Sequence, residues 1–402
     1  MTKIALVCAA YPPYTFGGID IQTYNLAHGL SDNGIEITVF CGYSKIGKYT
    51  LENDNLTICR LPLPDFNPRV LWFQLINNGF FKQEFKKFDL IHSQNTSGSL
   101  YGFFKKKIKT PWIVSFHDHQ LRRLFLLKII KPWNLSVGDL TYYSAGYPLF
   151  ETLTNIEVRN ADHYIVCGYS GLRDFYNFSK IKLEKTTVIP NGVSPDKLES
   201  SAKLFEEKNI LGETDSSFKI FTSGRLYSSK GLQYLIMAMP GVIKTFPGVS
   251  LEIFGKGPLL PKLNRLIHNL QLERNVFCRG HVQYEELMYK AKKCGLAVYP
   301  SLNEVGASLS VMEAMAFGKT VVGFDYPFTR EIIDHRKTGY LVEPKNINEL
   351  SDAICQLIND KNLREKIGEN ARLKILKKHN WNDIVKQYIN VYDKVISEKR
   401  KI

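Results

Sequence analysis

Short apolar runs alternate with amphipathic stretches along nearly the whole chain. In the first half the runs Lys3–Ala9, Ile35–Cys41, Leu56–Arg60, Asp89–Ser93, Trp112–Phe116, His163–Cys167 and Thr186–Ile189 read as strands. Their apolar residues are consecutive, as a strand needs when both of its faces are covered, so the pattern predicts a parallel sheet clothed in helices. Between the first two runs, Ile19, Thr23, Leu26, Ala27 and Leu30 fall at helical spacing, and Gly34 stands where a left-handed residue ends a helix. Strand, glycine turn, helix, strand is a βαβ unit.

The cluster Ile189-Pro-Asn-Gly-Val-Ser-Pro then breaks the pattern and marks a domain boundary. Beyond it Phe218–Thr222, Ser250–Phe254, Asn275–Cys278, Leu296–Tyr299 and Thr320–Phe324 read as strands, each followed by a helical stretch. A long helix from about Trp381 carries Ile384, Tyr388, Val391 and Val395 on one face. The 402 residues exceed one ordinary core. The expected fold is α/β, two Rossmann-like, doubly wound parallel-sheet domains facing a cleft, over residues 1–190 and 191–380. The last helix, 381–402, is expected to pack back toward the first domain.

Composition narrows the partners. With 53 Lys and Arg against 39 Asp and Glu the formal charge is +14, which favours anionic ligands or surfaces. Seven scattered cysteines, most inside apolar runs and none spaced as CxxC, read as reduced core residues of a cytoplasmic protein. The apolar run Ile4–Ala10 is read as a first strand, not a signal segment, and no uncharged apolar run reaches the ~18 residues of a membrane span. From Tyr101 to Trp133, Lys105, Lys106, Lys107, Lys109, Arg122, Arg123, Lys128 and Lys131 interleave with Phe103, Phe104, Leu124, Phe125 and others. That mixture suits an anionic membrane surface, or equally a helix with solvated lysines packed on its own sheet. No nucleic-acid module is recognisable, and nucleic acid is not expected as a partner.

Four stretches carry candidate chemistry. Gly17-Gly18 lies between a strand and a helix, where bare backbone can approach a phosphate at a helix N-terminus, or simply turn. No GxGxxG follows a strand, which argues against a nicotinamide enzyme. In Thr222-Ser-Gly-Arg-Leu-Tyr-Ser-Ser-Lys-Gly, Arg225 and Lys230 lie on a strand-to-helix turn, where two cations can clamp a diphosphate without a metal. Glu304 and Glu313 frame a Gly/Ser turn and a short helix at Pro300–Asp325, suited to hydrogen-bonding hydroxyls. Ser310-Val-Met-Glu313 is equally a capping box, with Glu313 reaching back to the helix start. His117 and Asp118, His92 and His281 sit at strand ends, where a structural histidine is the commoner outcome, and no spacing suggests a metal site.

Together the motifs resemble the family 4 retaining glycosyltransferases (glycosyltransferase group 1) of the GT-B fold. The matching pieces run in order: Phe16-Gly17-Gly18, DLIHSQ, SFHD, ADHYIVCGYS, IPNGV, SGRLYSSKG, IFGKGP, RGHVQYEEL, YPSLNE, VMEAMAFGKTVVGFD and TGYLVEP. The resemblance implies that Arg225 and Lys230, with Gly224, hold the diphosphate of a nucleotide-sugar, and that Glu313 accepts hydrogen bonds from its ribose. It places Glu304 and the backbone of Ala307, Ser308 and Leu309 on the donor sugar, His117 at the sugar pocket, Gly17 and Gly18 near the phosphates, and His281 and Val282 around the base. Eight residues separate Glu304 from Glu313 where the family has seven, so either a one-residue bulge, which Gly306, Ala307 and Ser308 allow and which is the favoured reading, restores Glu304 to its place, or the first carboxylate is lost.

The implied reaction is metal-independent transfer of a hexose or N-acetylhexosamine, with retention, from a nucleoside diphosphate sugar to an acceptor hydroxyl, and no cofactor is needed. The basic apolar segment suggests a lipid-linked saccharide or polysaccharide precursor of the cell envelope as acceptor, at the inner face of the membrane. Two rival classes stay open: another GT-B enzyme such as a nucleotide-sugar epimerase, and a non-catalytic partner that keeps the fold.

Overall fold

The computed structural model describes residues 2–13, 17–43, 49–64, 69–117, 147–208, 217–304 and 308–400. Chain contacts among these residues define two compact units: 2–117, 147–191 and 381–400 form one, and 192–380 the other.

The first unit runs β1 (Lys3–Cys8), α1 (Gly18–Asp32), β2 (Glu36–Tyr43), β3 (Tyr49–Asn53), β4 (Leu56–Pro62), α2 (Arg69–Glu84), β5 (Leu90–Gln94), α3 (Lys105–Ile108), β6 (Trp112–Phe116), α4 (Tyr147–Asn160), β7 (His163–Val166), α5 (Tyr169–Ser179) and β8 (Thr186–Val188). The strands form one sheet in the order β3-β4-β2-β1-β5-β6-β7-β8, with β1 at the point where the winding reverses. All pairings are parallel except the edge strand β3, which lies antiparallel on β4. This edge departs from the expected all-parallel sheet. YTLEN is polar and bears no buried-strand pattern, which is how an exposed edge strand can be written. Helix α1 stops where expected, with Gly34 at φ 77° and its N–H donating to Ser31 O at 2.9 Å.

The second unit runs α6 (Pro195–Lys208), β9 (Lys219–Ser223), α7 (Leu232–Thr245), β10 (Ser250–Phe254), α8 (Leu260–Asn269), β11 (Val276–Gly280), α9 (Tyr284–Lys293), β12 (Leu296–Tyr299), α10 (Leu309–Ala316), β13 (Val321–Phe324), α11 (Pro327–Ile332), β14 (Tyr340–Val342), α12 (Ile347–Asn359) and α13 (Lys361–Lys378). Its parallel sheet has the order β11-β10-β9-β12-β13-β14, so the winding reverses between β9 and β12. Strands β9 and β12 end in loops at that reversal, where an open α/β sheet leaves a crevice for ligands.

The chain returns to the first unit as α14 (Trp381–Arg400). Trp381, Ile384, Val385, Tyr388, Val391, Tyr392, Val395 and Ile396 bury themselves in one cluster with Ile4, Leu6 and Leu26. Helix α1 makes room with Gly29, where a Cβ would fall 2.4 Å from Val385 Cγ2. Both units are thus α/β layers closed by burial on two sheet faces.

Candidate active site

The loop after β9 is the best-defined polar site. Gly224 adopts φ 146° and its N–H donates to Phe254 O at 3.0 Å, which folds the loop over the end of β10. The loop after β10 must come equally close, since a Cβ on Gly255 would lie 1.9 Å from Gly224 O and one on Gly257 2.5 Å from Leu226 O. The glycines of Phe254-Gly-Lys-Gly are therefore demanded by two backbones in contact. Gly231, at φ 67°, plays the same part against Pro300 O.

On this frame a narrow pocket opens, lined by Ser223, Gly224, Arg225, Lys230, Tyr299 and Ser308. Arg225 is exposed, with its guanidinium 5.5 Å from the ring centre of Tyr227. Lys230 Nζ pairs with Glu304 Oε1, and Ser301 Oγ donates to the same oxygen at 3.1 Å. Glu304, one residue off the family's spacing, thus faces Lys230. Tyr299 closes the floor, its hydroxyl 3.2 Å from Ser223 Oγ.

Ser308 is the N-cap of α10, with φ −67° and ψ 134°, and Leu309 opens the helix. The first-turn N–H groups of such a helix lack partners within it and suit an oxygen-rich ligand. The cap at Ser308 also bears on the capping-box reading of Glu313. Ser310 lies inside the helix, so the capping box that the sequence allows does not form. Glu313 instead accepts a hydrogen bond from Tyr284 Oη at 3.0 Å. It is only 8% exposed, and burial pushes its carboxyl up to about 7 against that hydrogen bond. Val282 packs against the core of this unit, and His281 is exposed just beyond Gly280, which turns at φ 75°. Ala307 lies outside the described residues.

In the first unit the expected residues are placed differently. Gly17 caps α1 and gives its N–H to Asp20 Oδ2 at 2.8 Å, so this amide is already engaged, and Gly18 is the first helical residue. His117 sits just past β6, its Nε2 2.6 Å from Gln94 Oε1 and its Nδ1 3.0 Å from Cys167 Sγ. His92 is fully buried between Tyr392 Oη and Ser115 Oγ, each at 2.7 Å, and burial drives its pKa down to about 3. His92 is therefore a neutral, structural imidazole. Asp118, the rest of the basic apolar segment from 118 onward, and Phe16 lie outside the described residues.

Sequence reasoning missed Ser223, Tyr299, Ser301 and Tyr284. The first two end buried strands and Ser301 lies two residues past β12, within TSGR and YPSLNE, a position that itself points to a ligand crevice. Tyr284 stands 29 residues from Glu313, and no short-range spacing rule pairs the two.

Comparison with known proteins fixes the family. Residues 16–197 match the model described as Glycosyltransferase Family 4, and residues 205–374 match Glycosyl transferases group 1. The chain belongs to the group 1, family 4 glycosyltransferases. An uncharacterised glycosyltransferase of Methanocaldococcus jannaschii is 28% identical to it over 403 residues, covering 97% of each chain. The poly(ribitol-phosphate) alpha-N-acetylglucosaminyltransferase of Staphylococcus aureus is 31% identical over 198 residues, 49% of this chain and 38% of its own. An Anabaena protein crystallised in complex with UDP-glucose shares the fold with a TM-score of 0.73 at 17% identity, covering 98% of this chain and 100% of that one. The protein is thus a glycosyltransferase of GT-B type. Among the described residues, no helix is long and apolar enough to cross a membrane.

Proposed function

We propose that this glycosyltransferase moves a hexose or N-acetylhexosamine, with retention and without a metal, from a nucleoside diphosphate sugar to an acceptor hydroxyl. The observation that carries the reading is the pocket at the reversal between β9 and β12. There Gly224, Arg225, Lys230 and the N-terminus of α10 converge. Arg225 and Lys230 would take the diphosphate and stabilise the charge that grows on it as the anomeric bond breaks. The oxocarbenium-like carbon then meets the acceptor oxygen on the same face, and the departing phosphate takes the acceptor's proton. Glu313 would accept from the ribose, while Glu304 and the backbone of Ala307, Ser308 and Leu309 hold the sugar hydroxyls. Glu304 must leave Lys230 to do so. His281 and Val282 would border the base.

The first unit is assigned the acceptor. His117, with both ring nitrogens engaged, would offer a carbon edge to the sugar, and Gly17 and Gly18 would lie near the phosphates. A uridine diphosphate sugar is the first donor to try, since the Anabaena protein of like fold was crystallised with UDP-glucose. An anionic envelope acceptor fits both the +14 charge and the polyol-phosphate acceptor named for the staphylococcal relative. Phe103, 73% exposed beside the lysines of α3, supports contact with an anionic membrane.

The test is incubation of purified protein with UDP-glucose or UDP-N-acetylglucosamine, with acceptor and with EDTA, followed by NMR of the product. An α-linked product formed in EDTA is expected. A β-linked product would overturn retention, loss of activity in EDTA would overturn metal independence, and epimerised donor without transfer would favour the epimerase reading.

A further inference from the structure

We infer that Tyr284 is a positioning residue for donor binding: its hydroxyl holds one oxygen of Glu313 and leaves the other to accept from a ribose diol. The inference rests on the assignment of Glu313 to the ribose made above. Tyr284 opens α9, which packs beside α10, and its Oη donates to Glu313 Oε1 at 3.0 Å. No other hydrogen bond to Glu313 is found among the described residues, so Oε2 is the acceptor left for a ligand. The carboxyl is buried on a short helix whose other inward residues are Val311, Met312, Ala314, Met315 and Ala316, all apolar. An unsupported carboxylate there would take up a proton and lose its power to accept from two hydroxyls.

The groups that face Glu313 are few. Tyr284 comes from α9 and Tyr299 from β12, and each is held neutral by burial, its pKa raised further by the glutamate. Among the described residues no charged side chain of α6, α13 or β13 contributes to its charge state. The tyrosine hydrogen bond is therefore what favours the ionised form against burial. Ligand hydroxyls add to it, so binding a ribose diol pulls the proton off Glu313. Affinity for such a ligand should fall as pH drops through neutrality.

The experiment titrates UDP and 2′,3′-dideoxy-UDP into wild type, Tyr284→Phe and Glu313→Gln from pH 5.5 to 8.5. Each variant's melting temperature verifies the fold. Protonation of the phosphates affects both ligands, so the ratio of their affinities isolates the diol. In wild type this ratio should shrink about tenfold between pH 8 and pH 6. In Tyr284→Phe the decline should begin at higher pH, and in Glu313→Gln the ratio should not vary with pH. Donor KM should rise in Tyr284→Phe with kcat changed much less. A Tyr284→Phe profile that superimposes on wild type would overturn the inference. A wild-type ratio of one at every pH would overturn the ribose assignment itself.

Discussion

Toward the carboxyl ends of β5 and β6 in the first unit, polar side chains satisfy one another. His92 sits between Tyr392 and Ser115, and His117 between Gln94 and Cys167. Beyond β9 and β12 in the second unit the same kind of strand end carries Arg225 exposed, Lys230 against Glu304, and Glu313 buried with Tyr284 as its one hydrogen-bond partner among the described residues. The winding is alike, but the polar atoms of the first set are paired off within the fold, whereas the second set, on the reading proposed above, is kept for a donor. A polar group that is buried and fully partnered stabilises, whereas one left short of partners in a pocket costs stability and serves a ligand.

The largest effect should come from the exposed cation. Arg225→Ala is expected to lower kcat by about 10²–10³, roughly 3–4 kcal/mol of leaving-group stabilisation. Because Arg225 is exposed, its melting temperature should stay near that of wild type. A variant that retained full turnover would remove the second unit's side of the comparison.

Glu313 should show the opposite trade. Its folded carboxyl titrates at about 7 against the ordinary 4.5, so the folded state keeps a proton that the unfolded chain releases. Stability should fall as pH rises from 4.5 to 7, and the cost is complete above that. Glu313→Gln should therefore raise stability above pH 7 by on the order of 1–3 kcal/mol, with no gain below pH 4.5, while transfer is lost. Denaturant unfolding at pH 4 and pH 8 checks the sign.

In the first unit His92→Leu should destabilise by about 2 kcal/mol, since it leaves Tyr392 Oη buried without its partner. The pH effect also has a definite sign. The folded imidazole, down at about 3, stays neutral where the unfolded one takes a proton below 6.5. Wild-type stability is thus full above 6.5 and lost as pH falls toward 3, and His92→Leu should flatten that acid limb. Transfer by the folded variant should be unchanged. A variant that folds well yet loses transfer would move His92 from structure to function.

The smallest change sharpens the role of Glu304. Its carboxylate occupies Lys230 in the free protein, so Glu304→Gln should tighten UDP binding by about 1 kcal/mol, a few-fold in Kd, while slowing sugar transfer. Weaker UDP binding by calorimetry would mean that the pair orders the pocket instead of competing with the ligand.

The sequence made the sheets legible because buried parallel strands are written as unbroken apolar runs. Trp112–Phe116, Ser250–Phe254 and Leu296–Tyr299 coincide with the observed strands to the residue. Edge strands β3 and β14 escaped, one polar and one of three residues, since neither carries that signature. At the site, Arg225 and Lys230 were visible as cations on a strand-to-helix turn. The partners of Glu313, His92 and His117 were not, because Tyr284, Tyr392 and Cys167 come from distant elements that only packing brings near. The capping-box reading of Glu313 failed for a local reason, the N-cap lying two residues earlier than Ser310, at Ser308.

Hydrogen–deuterium exchange with and without saturating UDP addresses the contrast between the two units most directly. The account predicts slowed exchange in peptides spanning Gly224–Leu232 and Ser308–Glu313, with β5 and β6 unchanged. Protection confined to the ends of β5 and β6, with none in the second unit, would contradict it.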